Sequence, residues 1–250
     1  MDFTLKIYRS LLESLKNAGF SFFSFQEYCE AKADGKFVIL RHDVDLRASH
    51  SVATAKIEAE LGIKASYYFR VVPQSKQPDK IKIIANLGHE IGYHYEDLSL
   101  LNGNSSLAID HFSHQLAYFR RFYPVKTICM HGSPTSKIDN RSIWNYYDYR
   151  DFNLIGEPYF DVDFKKVFYL TDTGRCWDGE KFSVRDKVDA HFNVSYHSTN
   201  EIIHAANLKT LPLQLMITTH PQRWTDNVIE WFVELFMQNA KNTIKRLIVK

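Results

Sequence analysis

The chain has 250 residues, which is enough for one large domain, and 45% of them are hydrophobic, so it can bury a full core. Its 31 Lys and Arg residues against 29 Asp and Glu residues leave a formal charge of +2. Because nucleic-acid binding depends on clustered cations, this balanced charge disfavours a DNA- or RNA-binding role.

The cysteines and the termini exclude several other classes. Cys29, Cys129 and Cys176 lie far apart without a C-x-x-C spacing, which indicates neither a disulfide framework nor a cysteine zinc site. The N-terminal segment does not resemble a signal peptide, and no run approaches the roughly 18 apolar residues of a transmembrane helix. We therefore predict a cytoplasmic protein with no membrane span. The sequence does not indicate its oligomeric state.

The predicted elements alternate between helices and short apolar strands. In chain order the patterns predict a helix over 4–18, a strand at 37–40, a helix over 48–61, a strand at 65–69, a helix over 78–87, a strand at 89–94, a helix over 105–122, strands at 128–130, 167–170 and 213–218, and a final amphipathic helix over 228–248. Residues 137–166 are less regular. This alternation is typical of the α/β class, with parallel strands in one sheet or barrel.

Ionisable side chains stand at the ends of four predicted strands: Asp43 and Asp45, His94, His131, and His220. Taken singly, each has a structural explanation, and Asp45 could simply cap the following helix. However, the carboxyl ends of parallel strands open on one face, so these residues are expected to converge. Carboxylates and imidazoles are the ligands that zinc and similar ions prefer. The pattern therefore favours a metal site.

Four sequence strings occur in the order found in one enzyme family: RHDVD at 41–45, ASYYF at 65–69, GHEIGYH at 88–94 and MITTHP at 216–221. On these strings the chain resembles the polysaccharide deacetylase (NodB-homology, carbohydrate esterase) superfamily over about residues 36–224. The resemblance implies a single distorted (β/α) barrel domain over 1–250. Residues 1–35 would be an N-terminal helical addition, and residues 225–250 a closing C-terminal helix.

The resemblance also implies roles for single residues. Asp43 is the expected general base and His220 the expected general acid, while Asp45 and His94 are expected metal ligands.

The segment from Asp172 to Trp177 is similar to the family's Asp/Trp motif beside the site. Asp172, Arg175 and Trp177 are therefore expected substrate contacts. Alternatively, Asp172 or Asp186 could orient His220 or Arg175, or Asp172 and Arg175 could simply pair across a loop.

The chain departs from the family pattern at two places. The family's His-x-x-x-His ligand motif would place a second histidine at position 98, which is Leu98 here, and the family's arginine-and-proline motif reads His131-Gly-Ser-Pro134. We predict that His131 supplies the third ligand. Glu96 is the alternative, and a site without a third ligand is the remaining one. The expected cofactor is one divalent ion, with zinc first and nickel, cobalt or manganese as alternatives.

The predicted function is metal-dependent hydrolysis of a carbon–nitrogen bond that removes acetyl from an N-acetylated sugar or glycan precursor. The predicted location favours a small or a lipid- or nucleotide-linked sugar as the substrate. Two alternatives remain: a non-catalytic carbohydrate-binding protein on the same fold, and an amidohydrolase acting on a non-sugar amide. The presence of a bound metal would distinguish the two hydrolase hypotheses from the carbohydrate-binding one, because a binding protein need not hold a metal.

Overall fold

The computed structural model describes residues 1–31, 33–132, 136–177, 188–189 and 192–248, with side chains described as far as residue 243. Asp186 and the Ser133-Pro134 part of the altered motif lie outside the described residues.

One parallel sheet forms the centre of the fold. Its strands are β1 Ser21–Phe23, β2 Phe37–Val44, β3 Ser66–Phe69, β4 Glu90–Tyr95, β5 Ile128–Met130, β6 Phe168–Thr171 and β7 Gln214–Thr219. The strands follow the order β5-β4-β3-β2-β7-β6, and β1 pairs with the first half of β2. All the pairings are parallel, which confirms the predicted α/β class. In the part of the chain that the structure describes, the path ends at β5 and β6, so the sheet is a half-barrel.

Helices surround this sheet. They are α1 Leu5–Asn17, α2 Phe25–Ala31, α3 Ala48–Glu60, α4 Pro78–Asn86, α5 Asp97–Leu100, α6 Ser105–Phe119, α7 Pro158–Asp161, α8 Thr199–Asn207 and α9 Val228–Ile248. None of the described helices is both long enough and apolar enough to cross a membrane.

Local sequence signals account for the bounds of several helices. Thr4 caps α1 by accepting a hydrogen bond from the backbone N–H of Ile7 at 3.2 Å. Pro78 opens α4, and Gly88 follows its end with a φ of 91°, a left-handed conformation that favours glycine. These are the bounds that the sequence predicted for α4 to within one residue.

The strand β2 positions the functional residues, because it lies in the middle of the sheet and every one of its residues is buried. A parallel strand covered on both faces has a nearly continuous apolar sequence, as Phe37 to Leu40 does. The polar residues from Arg41 to Asp43 are therefore buried as well, and each needs a partner.

The helix α9 differs from the usual amphipathic arrangement, in which the apolar side is covered by the core. The side chains of Ile229, Phe232 and Phe236 are 76%, 57% and 74% exposed. In contrast, Gln238 and Asn242 are buried, and Asn242 donates a hydrogen bond to the backbone carbonyl of Gly174 at 2.9 Å. The polar side of this helix therefore faces the protein.

Candidate metal centre and active site

The carboxyl ends of the parallel strands open into one cavity of about 310 Å³. Its lining includes the five ionisable residues that the sequence placed at strand ends: Asp43, Asp45, His94, His131 and His220. The sheet order explains this convergence, because β5, β4, β3, β2 and β7 are consecutive neighbours.

Three of these residues form a compact group of ligand atoms. The Oδ1 atom of Asp45 lies 3.7 Å from Nε2 of His94 and 3.6 Å from Nε2 of His131. Around a tetrahedral zinc ion with bonds of about 2.0–2.2 Å, ligand atoms are about 3.3–3.6 Å apart. The Oδ1 atom is also buried and has no hydrogen-bond partner among the described residues. Because an unpaired buried carboxylate oxygen is costly, these residues fit a divalent cation.

Hydrogen bonds at the far side of each imidazole prepare it as a ligand. Nδ1 of His94 lies 3.0 Å from the carbonyl oxygen of Cys129, and Nδ1 of His131 lies 2.7 Å from Oε2 of Glu96. Since a carbonyl and a carboxylate only accept, both Nδ1 atoms carry the hydrogen and both Nε2 atoms present a lone pair. Burial lowers the pKa of His94 to about 4, which keeps this imidazole neutral near pH 7.

The carboxylate of Glu96, the alternative third ligand, is occupied. In addition to His131, it accepts hydrogen bonds from Arg70, whose Nη2 lies 2.7 Å from Oε1 and 2.9 Å from Oε2. Glu96 therefore supports His131 in this structure.

A second group of possible ligand atoms consists of Asp43, His94 and Cys129. It shares His94 with the first group, but both carboxylate oxygens of Asp43 already accept hydrogen bonds from Arg41. The group built on Asp45 is therefore the better metal site.

The pair of Arg41 and Asp43 is a buried ion pair on one side of β2. Nε and Nη2 of Arg41 lie 2.8 and 2.6 Å from the two oxygens of Asp43. Residues two apart on a strand share a side, which makes this pairing possible. Burial raises the pKa of Asp43, but Arg41 outweighs it and holds the pKa far below its usual range. Oδ2 of Asp43 is also 3.7 Å from Nε2 of His94, so an ionised carboxylate stands beside the metal group.

On the β7 side of the cavity, His220 is held by a buried carboxylate. Its Nδ1 lies 2.5 Å from Oδ1 of Asp172, and its Nε2 faces the cavity 3.9 Å from Oδ2 of Asp45. Asp172 also accepts hydrogen bonds from Arg223 at 2.6 Å and from Trp224 at 2.8 Å. Burial and Arg223 lower the pKa of His220, but Asp172 outweighs both and the net pKa is raised.

The three expected substrate contacts lie elsewhere. Asp172 is completely buried beneath His220, Trp177 is 4% exposed and stacks on Phe3, and Arg175 lies over the rings of Phe3 and Trp231. None of the three is among the described residues that line the cavity. Phe3 and Trp231, from the two ends of the chain, cover this segment, and a contact of these three residues with a substrate stays a prediction. Of the alternatives, the orientation of His220 by Asp172 matches the observed contact.

Sequence reasoning gave no role to three residues that structure the site. Arg41 stands two residues before Asp43, so the sequence alone indicates that both side chains lie on the same side of the strand. Arg70 directly follows β3, the position expected of a functional residue at a strand end. The third, Arg223, bonds to Asp172 only because the segment after β7 turns back in a short 3₁₀ helix. Pro221 at the first position of this helix is a sequence signal for the turn, but it does not identify Asp172 as the partner of Arg223.

Neither a protein-family profile nor a curated protein sequence matches the chain. Solved structures do. A family 4 carbohydrate esterase pseudoenzyme from Bacillus anthracis is 14% identical at a TM-score of 0.45, and the match covers 83% of this chain and 62% of that one. A family 4 carbohydrate esterase from Bacillus anthracis is 10% identical at a TM-score of 0.43, with 93% and 85% covered. One from Bacillus subtilis is 10% identical at a TM-score of 0.44, with 92% and 83% covered.

The chain resembles family 4 carbohydrate esterases. The sequence motifs predicted this resemblance. The chain spans about 62% of the length of the matched pseudoenzyme. Any conclusion about chemistry therefore depends on the residues of the cavity.

Proposed function

We propose that the protein is a metal-dependent hydrolase that removes the acetyl group from an N-acetylated sugar. One observation carries the proposal: the buried Oδ1 of Asp45, which has no hydrogen-bond partner among the described residues, faces the Nε2 atoms of His94 and His131. These three residues would hold the ion. When bound, a divalent ion, with zinc first and nickel, cobalt or manganese as alternatives, supplies Lewis-acid chemistry to water and to a carbonyl oxygen.

The residues around this group provide the acid and the base. Asp43, kept ionised by Arg41, takes a proton from the attacking water. His220 is bonded through Nδ1 to Asp172, which raises the pKa of His220 and so favours the imidazolium, the form that has a proton on the Nε2 atom facing the cavity. It donates this proton to the departing amine nitrogen. The two roles require two groups on different sides of the substrate, and β2 and β7 supply them.

The size of the cavity supports a small substrate group. Its volume of about 310 Å³ is near the lower end of ligand pockets, which hold about 300–1,000 Å³. A single N-acetylated sugar unit, either free or linked to a lipid or a nucleotide, suits this space better than several units of a polymer.

Metal analysis with matched variants tests the proposal. Protein purified without chelator should contain about one divalent ion per chain, and His94→Ala should lose it. Asp43→Asn should keep the ion while acetate release from N-acetylated sugars falls by at least about 100-fold, because the base is lost. Asp45→Asn should lose both the ion and the activity.

Two results would contradict the proposal. Full activity of Asp43→Asn on a confirmed substrate would remove Asp43 as the base. A parent protein that takes up no ion, even after incubation with zinc, nickel, cobalt or manganese, would favour the non-catalytic carbohydrate-binding protein. The observation that favours this second candidate is Leu98, which stands at the position of the family's second histidine and is 4% exposed.

A further inference from the structure

We propose that Glu96 and Arg70 form a clamp that positions His131 as the third metal ligand, in compensation for the histidine missing at position 98. The inference rests on the proposed function for the presence of the metal. The clamp is defined by two contacts: Arg70 to Glu96, and Glu96 to His131.

The backbone of His131 is already fixed, which leaves the rotation of its ring as the freedom to be controlled. Its N–H donates to the carbonyl oxygen of Tyr95 at 2.8 Å, and its carbonyl oxygen accepts from Nδ2 of Asn140 at 2.9 Å. Neither contact determines where Nε2 points. The hydrogen bond from Nδ1 to Oε2 of Glu96, at 2.7 Å, does so.

Arg70 in turn fixes the carboxylate of Glu96. Its Nε and Nη2 atoms lie 2.9 and 2.7 Å from Oε1, and Nη2 lies 2.9 Å from Oε2. Such a fork holds the plane of a carboxylate as well as its charge. The side chains of Arg70, Glu96 and His131 are only 20%, 6% and 13% exposed, so water competes weakly for these contacts.

The sheet order makes the clamp possible. Arg70, Glu96 and His131 directly follow β3, β4 and β5, which are consecutive neighbours. A line of charge-assisted hydrogen bonds therefore crosses three strand ends and finishes at Nε2 of His131, 3.6 Å from Asp45. Carboxylates in this position set the tautomer of a histidine ligand and raise its basicity. A ligand from β5 can thus replace one from the segment after β4.

Metal affinity, measured by chelator competition with zinc, tests the clamp. Glu96→Gln should weaken binding about 10–100-fold, as the loss of outer-shell partners typically does. His131→Ala should weaken it more, because a ligand itself is lost. Arg70→Met should also weaken zinc binding, but less than Glu96→Gln does.

Asp97→Asn is the matched control. Asp97 is the adjacent buried acid and holds a different imidazole, that of His111 on α6, at 2.5 Å. We expect this variant to bind zinc within about two-fold of the parent, since the side chain of Asp97 bonds to Tyr93 and His111 and to none of the three proposed ligands. The cobalt-loaded protein adds a spectroscopic check: Glu96→Gln should alter its visible absorption, and Asp97→Asn should not.

Nitrogen-15 NMR of the metal-free protein measures the tautomer of His131 without any bound metal. The parent should show His131 with its proton on Nδ1, and Glu96→Ala should show a mixture of tautomers. Equal zinc affinity in Glu96→Gln and the parent would overturn the clamp, and so would an unchanged tautomer.

A larger loss in Glu96→Gln than in His131→Ala would instead make Glu96 the ligand and also overturn the inference. A parent that binds no zinc overturns it together with the proposed function. If the parent binds zinc and the variants weaken binding as expected, but no acetate is released from any N-acetylated sugar, only the proposed function is contradicted.

Discussion

At the scale of single residues, the ion pair of Arg41 and Asp43 is the feature of the site whose charges are most costly to bury. Both side chains are almost completely buried in the central strand, where an uncompensated charge is very costly. Nη1 of Arg41 is buried and has no hydrogen-bond partner among the described residues, so the pair is not ideally satisfied even when intact. The charge on Asp43 thus depends chiefly on this guanidinium.

Removing Arg41 should therefore destabilise the protein strongly. We expect Arg41→Met to lower the free energy of unfolding by about 3–5 kcal/mol, because it leaves the Asp43 carboxylate buried and unpaired. The double variant Arg41→Met with Asp43→Asn should lose less than the sum of the two single variants, since neither charge remains. Denaturant unfolding of all four proteins measures this coupling. Additive losses would mean that the two charges do not stabilise each other.

At the scale of elements, the strands were more predictable than the additions around them. The strands β2 to β7 all appeared as apolar runs, because strands of a covered parallel sheet are buried on both faces. The three-residue strand β1 was not predicted, since its pairing with β2 is a tertiary contact. The helix α8 was also missed, although Ser198 and Glu201 form a recognisable capping pair at its start.

The apolar periodicity of α9 predicted a helix correctly but does not reveal which side faces the protein. The side that faces the protein is held by specific contacts, such as the hydrogen bond from Nε1 of Trp231 to the carbonyl oxygen of Asp2 at 2.6 Å. Periodicity reports where apolar residues lie on a helix, whereas the partner surface decides which side is covered.

Substitutions on the exposed side of α9 should therefore leave the fold intact. We expect Phe232→Ser and Phe236→Ser to change the free energy of unfolding by no more than about 0.5 kcal/mol, because both rings already contact water. Phe112→Ala, which empties a completely buried position on α6, is the comparison and should cost about 3–5 kcal/mol. Thermal or denaturant unfolding distinguishes them. Losses of similar size would show that the α9 side chains are covered in solution.

At the scale of the whole molecule, the sequence predicted which residues would converge but not how they would be connected. The rule that parallel strands end on one face was sufficient to group Asp43, Asp45, His94, His131 and His220. The supporting contacts required the strand order, which places the end of β4 between those of β3 and β5. For this reason Glu96 could be considered only as a ligand before the structure placed it between Arg70 and His131.

The stability of the whole molecule should also depend on pH, and the buried acid Glu157 contributes to this dependence. Glu157 is completely buried at the start of α7, where it accepts hydrogen bonds from the N–H groups of Met130 at 3.0 Å and Tyr159 at 2.6 Å. Burial raises the pKa of Glu157 from 4.5 to about 7. The folded protein therefore binds this proton more tightly than the unfolded chain does. The resulting stability is present below about pH 4.5 and is lost as the pH rises toward 7.

The expected loss is at most about 3 kcal/mol between pH 4.5 and 7, from the size of the pKa shift. Glu157→Gln cannot ionise and keeps one of the two oxygens that accept these hydrogen bonds. Its stability should therefore change less over this range than that of the parent. The depressed pKa values of Asp43 and Asp45 act in the opposite direction, since their contribution is lost as the pH falls below about 4 in both proteins. Unfolding free energies measured from pH 4.5 to 8 should therefore diverge between parent and variant. Parallel curves would mean that Glu157 titrates near its ordinary pKa, with its carboxylate compensated inside the fold.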